Sequence, residues 1–242
     1  MTEDFKIHAL ICTYNDYPTL PLALSSVKDV CDNIIIADGA YKKYFANFLK
    51  YDKNVKPWST DGTLEIIKAL EPNLPPVKLI MCPNGEPWLN QTEKRSAMLD
   101  AVPDKDWFII LDTDEMLFGN AVAGVNEVMS SGCIAGCMPM FSPGMGMNAL
   151  LPFWHPRIFL KLPGMYYERK HWFLCDYAHR IIEQTYPLWM TNRCVLAHFK
   201  VFRNAKRLAA HSGYMLDMSV GGWLEPHSAM FKSEIKECEV SA

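Results

Sequence analysis

Apolar and polar positions in the first part of the chain follow two alternating rhythms. Lys6 to Cys12 (KIHALIC) is a short apolar run closed by the polar Thr13-Tyr14-Asn15-Asp16, which predicts a strand and its turn. Pro18 to Val30 places Leu20, Leu22, Ala23, Leu24, Val27 and Val30 close to a helical stripe, with proline near its start. Asn33 to Ala37 (NIIIA) is continuously apolar, as in a strand buried on both faces of a parallel sheet, and Asp38-Gly39 ends it. Ser59-Thr60-Asp61-Gly62 supplies cap and turn residues before a helix over Thr63 to Leu70. Val77 to Cys82 reads as a third strand. Asn90, with Glu93 three positions on, opens a helix that runs to Val102. Trp107 to Leu111 (WFIIL) predicts a fourth buried strand, with Asp112-Thr113-Asp114-Glu115 at its C-terminal end.

This alternation predicts an α/β fold with a mostly parallel, doubly wound central sheet. Ligands of such sheets bind beyond the carboxyl ends of the strands. Three polar clusters fall there: Thr13 to Asp16, Asp38, and Asp112 to Glu115. After Glu115 the grammar changes. A helix over Asn120 to Ser130 leads to a strand over Ile134 to Phe141 and an uncharged, Met-rich loop. Arg157 to Leu160 and Tyr166 to Leu174 read as paired strands around the Leu162-Pro163-Gly164 turn. Cys194 to Phe199 is a last strand, and Asn204 to Met218 a last helix.

Composition narrows the function classes. With 24 Lys plus Arg, 27 Asp plus Glu and half the residues hydrophobic, the chain is neither globally disordered nor globally drawn to nucleic acid or anionic membrane. From Val128 to Pro156 no residue carries a formal charge, yet four prolines and four glycines within that stretch exclude a membrane-spanning helix. The acidic Met1-Thr2-Glu3-Asp4 lacks the basic flank of a secretory signal, so no targeting segment is expected. Eight scattered cysteines without a C-x-x-C pair read as reduced thiols. The expected location is cytoplasmic, at most peripheral to the inner membrane face.

Asp112-Thr113-Asp114 is the sharpest chemical element. Residues two apart on a strand face one side, so both carboxylates can converge on a hard cation, which can neutralise a departing diphosphate. Taken alone, an acidic turn after a strand is commoner than a site. In context, the segment from Thr13 to Asp114 resembles the nucleotide-sugar glycosyltransferases of the GT-A fold, most nearly the large family 2 group. The resemblance lies in the order and spacing of Thr13-Tyr14-Asn15, Asp38, Ser59-Thr60-Asp61-Gly62-Thr63, the helix with Lys94 and Arg95, and Asp112-x-Asp114.

The resemblance implies a single GT-A-like domain over 1–242. Residues 1–115 would form its nucleotide-sugar-binding half and 116–242 a smaller, β-rich acceptor-side half. Thr13, Tyr14, Asn15, Asp38, Lys94, Arg95 and Asp112 would hold the donor. Asp114, supported by Asp112, would bind Mn²⁺ or Mg²⁺. His198, late in the chain, would complete the metal site, and imidazole suits Mn²⁺ better than Mg²⁺; its plainer reading is a core histidine. Lys200, Arg203, Lys206 and Arg207 would contact the diphosphate or form a solvated helix face. Gly221-Gly222-Trp223 reads as a hinged lid or an ordinary turn.

Inverting transfer needs a base to deprotonate the acceptor hydroxyl. The candidates are His171, then Asp176, with Glu168 and Glu183 also in range. One departure from the family pattern is an insert, Ala40 to Trp58, between Gly39 and Ser59. It carries Lys42, Lys43, Lys50, Lys53 and Lys56 against Asp52, with Tyr41, Tyr44, Phe45 and Phe48 at helical spacing. It reads as an amphipathic helix with solvated lysines; the alternative is a surface for a polyanionic acceptor.

The resulting expectation is a metal-dependent, inverting transferase moving sugar from a nucleotide diphosphate sugar, with UDP-sugar as the expected donor. The acceptor class stays open among glycan, lipid, protein and modified nucleic acid. The alternatives are a nucleotidyltransferase, or a non-catalytic nucleotide-sugar-binding module. The first calls for a Gly-rich, basic loop after the first strand, and Thr13 to Tyr17 is neither.

Overall fold

The computed structural model describes residues 5–50, 52–141, 153–168 and 173–199. In chain order its elements begin β1 (Ile7–Thr13), α1 (Leu20–Val27), β2 (Asn33–Asp38), α2 (Lys42–Phe48), α3 (Thr63–Leu70) and β3 (Val77–Ile80). They continue α4 (Gln91–Leu99), β4 (Trp107–Asp112), β5 (Glu115–Gly119), α5 (Ala121–Ser130), β6 (Ala135–Phe141) and β7 (Phe153–Leu160). The last are β8 (Tyr166–Tyr167), β9 (Leu174–Cys175), α6 (Ile182–Thr185), β10 (Leu188–Met190) and β11 (Cys194–His198).

Nine strands form one sheet in the order β3-β2-β1-β4-β7-β6-β11-β5, with β10 beside β6. The pairs β1–β2, β1–β4, β2–β3, β6–β10 and β6–β11 are parallel; β7 runs against β4 and β6, and β5 against β11. The architecture is a GT-A-like α/β domain.

Burial on both faces explains the continuous apolar runs. On β1 and β4, Ile7, Ala9, Ile11, Trp107, Ile109 and Leu111 share one core with α1, α3 and α5. Leu10, Phe108 and Ile110 face the other, under α4 and the β8–β9 pair. Asn90 caps α4 by accepting from Glu93 N at 2.8 Å, and the Glu93 carboxylate accepts from Leu89 N at 2.5 Å. This is the reciprocal cap that the sequence predicts, with the return bond one residue further out.

Two expectations are corrected. Arg157 to Leu160 does not pair with Tyr166 to Leu174. β7 lies between β4 and β6, where Ile158 and Phe159 are buried in opposite cores. A hairpin would leave one of those faces in water, and central placement hides both. The residues after the turn instead make the small β8–β9 pair. The second correction is β5, which starts at Glu115, where the sequence suggested only a turn. The uncharged stretch resolves as β6 and β7 at its ends, and among the described residues no helix is long and apolar enough to cross a membrane. Residues 142–147 of the Met-rich loop, the expected last helix, Lys200, Arg203, Lys206, Arg207 and Gly221-Gly222-Trp223 lie outside the described residues.

The seven described cysteines are all free thiols. Packing between α5 and β6 is tight at one point: a Cβ on Gly136 would lie 2.5 Å from both methyl carbons of Val128. Gly136→Ala is expected to cost about 1–3 kcal/mol through overpacking, read as a thermal midpoint lowered by several degrees.

Candidate functional site

Parallel pairing brings the strand ends to one edge in fixed register. Thr13 on β1 stands opposite Asp38 on β2, and Cys12 opposite Asp112 on β4. All three sequence-predicted clusters therefore meet at the carboxyl edge of the sheet.

The β1–β2 part of that edge is closed by the chain itself. Asp38 is fully buried; its Oδ1 accepts from Ser59 Oγ at 2.5 Å and its Oδ2 from Ser59 N at 2.9 Å. Burial pushes its pKa up, while the Lys94 ammonium and the Ser59 hydrogen bonds oppose that shift. Lys94, also buried, donates from Nζ to Thr13 O at 2.6 Å and to Gly39 O at 2.5 Å, and so ties the ends of two strands together. Burial lowers its pKa, against the pull of Cys12 and Asp38. Gly39 has φ +113°, and a Cβ there would meet Cys82 Cβ at 2.8 Å, so the tie requires glycine. Asn15, at φ 51°, donates from its backbone N to Ser59 Oγ at 2.7 Å, and its side-chain oxygen accepts from Thr60 N at 2.9 Å. Tyr14 is 3% exposed, with its hydroxyl on Lys56 O at 2.8 Å and its ring edge-on to Tyr44 and Phe48 of α2.

The β4 end is different: it gathers charge. Three carboxylates lie within four residues, and each meets its own basic side chain from another element. Asp112 Oδ1 accepts from Arg95 on α4 at 2.6 Å. Glu115 accepts from Arg157 on β7, and its second oxygen accepts from Asp112 N at 2.9 Å. Asp114 Oδ2 stands 3.0 Å from Nε2 of His198, at the end of β11. Burial disfavours the Glu115 carboxylate and raises its pKa; Arg157 opposes this and Asp112 adds to it. For Arg95, burial works against the charge, but Asp112, Cys12 and Tyr167 outweigh it and hold the guanidinium protonated. Burial also works against charging His198, yet its bond to Asp114, with Glu115 and Asp112 nearby, pushes its pKa up.

Three contributors escaped the sequence reading: Arg157, His155 and Tyr167. Arg157 falls at a register shift between β6 and β7, where Cys137 pairs with Pro156 and Gly136 with Ile158. Such an irregularity re-aims a side chain. The available signal was a His and an Arg two apart in an otherwise apolar run, hidden because His155 fell in the loop reading and Arg157 at the start of the strand reading. His155 is held down to about 4, by burial first and then by the Arg157 charge. Tyr167 on β8 is pushed up to about 12 by burial, although its hydroxyl contacts Arg95.

The acceptor-side candidates separate. Asp176 is buried and takes hydrogen bonds from Arg180 Nε at 2.8 Å, Tyr186 OH at 2.7 Å and the backbone of Ala178 and Arg180. Burial alone would raise its pKa; these bonds outweigh it and hold the carboxyl well below its usual range. It organises a turn. Glu168 is half-buried, with Oε2 3.4 Å from Tyr166 OH and 3.7 Å from Cys175 Sγ. Burial raises the pKa of Glu183 on α6. His171 lies outside the described residues.

No family model matches this chain. No curated protein matches it either. Among solved structures it is similar to S. aureus TarS 1–349 in complex with UDP, at 17% identity and TM-score 0.41, over 59% of this chain and 38% of that one. A 4-diphosphocytidyl-2C-methyl-D-erythritol synthase matches at 12% identity and TM-score 0.47, over 89% and 99% of the two chains. The bifunctional IspDF from Campylobacter jejuni matches at 8% and 0.43, over 77% and 49%. The chain thus spans well under half of TarS 1–349.

Among the described residues no three His, Cys, Asp or Glu side chains are grouped as a resident metal centre requires. Asp114 and His198 supply a pair, and Asp112 adds a carboxylate whose side chain is 31% exposed. That donor count suits a cation arriving on substrate phosphates, which needs one or two protein carboxylates, better than an all-protein cage.

Lys94→Met would remove the Lys94 donor from Gly39 O, leave Thr13 O with its bond from Gly39 N, and take the ammonium away from a buried carboxylate. It is expected to cost about 3 kcal/mol or more in urea unfolding. His155 generates a pH effect: its folded pKa of about 4 lies below the ordinary 6.5, so the unfolded chain binds the extra proton between these values. Stability should therefore fall as pH drops through that window, and His155→Gln should flatten the slope.

Proposed function

We propose that the chain is a metal-dependent, inverting glycosyltransferase that takes sugar from a nucleotide diphosphate sugar, with a UDP-sugar as donor. The observation that carries this reading is the 3.0 Å meeting of Asp114 and His198, 84 positions apart, at the ligand-binding edge of a parallel sheet. The resemblance implied that pairing, and nothing in the local sequence around either residue demands it.

In this reading Asp114 and His198 would hold Mn²⁺ or Mg²⁺, with Asp112 behind them. The bound ion would neutralise charge on the departing diphosphate. Arg95 and Arg157 keep the Asp112–Glu115 turn rigid, so these groups need no reorganisation during transfer. Asp38, Lys94, Thr13 and Asn15 shape the floor beneath the donor. Glu168 and Glu183 are both half-buried, and Glu168 directly follows β8 of the strand pair that packs against α4; it would deprotonate the acceptor hydroxyl. The loop after β1 argues against nucleotidyl transfer: Thr13 to Asp16 are all buried, and the loop carries an acid where triphosphate chemistry calls for glycine and base.

The test is thermal stabilisation by a panel of nucleotide sugars with and without Mn²⁺, followed by donor hydrolysis. Stabilisation by a UDP-sugar that requires Mn²⁺, with hydrolysis reduced at least a hundredfold in Asp114→Ala, is the expected outcome, on the order of one lost charge-stabilising group. Stabilisation by nucleoside triphosphates alone would replace this reading with nucleotidyl transfer. Metal-dependent binding with no turnover on any acceptor would make the chain a binding module. Glu168→Gln should lower kcat for transfer while leaving donor stabilisation unchanged.

A further inference from the structure

The insert divides by chemistry. Tyr44, Asn47 and Phe48 of α2 are buried, against the ring of Tyr14. Lys42 and Lys43 of α2, with Lys50, Lys53 and Lys56 beyond the helix, are all exposed, and Leu49 is 37% exposed among them. Residues 40–58 hold five lysines and one acid, Asp52, for a charge of +4; the whole chain is −3, so the remainder sums to −3 − 4 = −7. A cationic face on an anionic body orients the molecule as well as attracting it.

This face is also fixed in place. Ala40 N donates to Pro57 O at 2.8 Å, Trp88 N to Ala40 O at 2.9 Å, and Lys42 N to Trp88 O at 2.8 Å. With the Tyr14 hydroxyl on Lys56 O, both ends of the insert are anchored at the sheet edge that carries Asp112 and Asp114.

We propose that the lysine face of residues 40–58 docks on an anionic lipid bilayer and holds the strand-end site beside it. Nucleic acid fits this surface less well. Sequence-tolerant strand binding uses exposed aromatic rings as stacking platforms, whereas Tyr44 and Phe48 are only 3% and 5% exposed and Tyr41 and Phe45 are half-buried against them. Lysines grouped around an exposed leucine match an interfacial contact. Docking stands independently of the transferase reading; only the corollary, an acceptor hydroxyl borne at the bilayer, rests on it.

The experiment is co-sedimentation with phosphatidylcholine vesicles, with and without phosphatidylglycerol, at low and high salt. Binding is expected only with phosphatidylglycerol and is lost at high salt, where screening is short-ranged. Combined Lys42→Gln, Lys43→Gln, Lys50→Gln and Lys53→Gln should weaken partition on the order of a hundred- to a thousandfold, at about fivefold per lysine. Lys68→Gln with Lys78→Gln, exposed elsewhere, should leave it unchanged. Equal binding to neutral vesicles, undiminished binding by the fourfold variant, or tighter binding to a single-stranded oligonucleotide at the same salt would each overturn the proposal. Donor stabilisation measured in the fourfold variant separates the two readings, because it is expected to persist.

Discussion

Three carboxylates within four residues at the end of a buried strand impose the constraint on which the rest of this fold depends. Asp114 and Glu115, each 2% exposed, would otherwise meet nearly the full cost of desolvating a charge, and Asp112, with its side chain 31% exposed, would meet part of it. Sequence neighbours cannot supply the basic partners, because β4 is continuously apolar up to Asp112. They must come from a distance: Arg95 from α4, Arg157 from β7 and His198 from β11. Satisfying the turn therefore fixes the relative placement of a helix packed on one face, an antiparallel central strand and a strand near the far edge. Chemistry at the edge and the order of the strands are one problem.

The same logic explains what could be read in the sequence and what could not. Local signals were sufficient for α3, for the Asn90–Glu93 cap and for the buried runs of β1, β2 and β4, because each is written in consecutive residues. The meeting of Asp114 with His198 was legible only through family resemblance. The role of Arg157 was marked only by a charge in an apolar run, since it arises beside a register shift between two strands that no local pattern encodes. The hairpin reading of Arg157 to Leu174 failed for a related reason. A Pro-Gly turn between two short runs predicts local pairing, but the buried demand of Ile158 and Phe159 on opposite faces was stronger.

The end of the insert and the Ser59–Thr63 loop together change what the residues of the resemblance do. Tyr14, Asn15 and Asp38 stand at the predicted edge, yet their polar atoms bind Lys56, Ser59 and Thr60 of this chain. Ser59 serves both Asp38 and Asn15, so the loop before α3 is a keystone joining β1 to β2.

Thr60 is exposed, Asp61 half-buried and Asp112 open at its side chain, while Thr13 and Asp38 are closed beneath them. A ligand arriving at this edge therefore meets the rim formed by the Ser59–Thr63 loop and the acidic turn. Polar atoms on the floor are spent on holding the two strands at the spacing that the rim requires. Specificity for a ligand's far end must then lie in the rim and in the insert, and of these the insert is where this chain departs from the pattern of the resemblance. Asp112, Asp114 and His198 lie instead at the rigid strand ends, where charge balance leaves little room for variation.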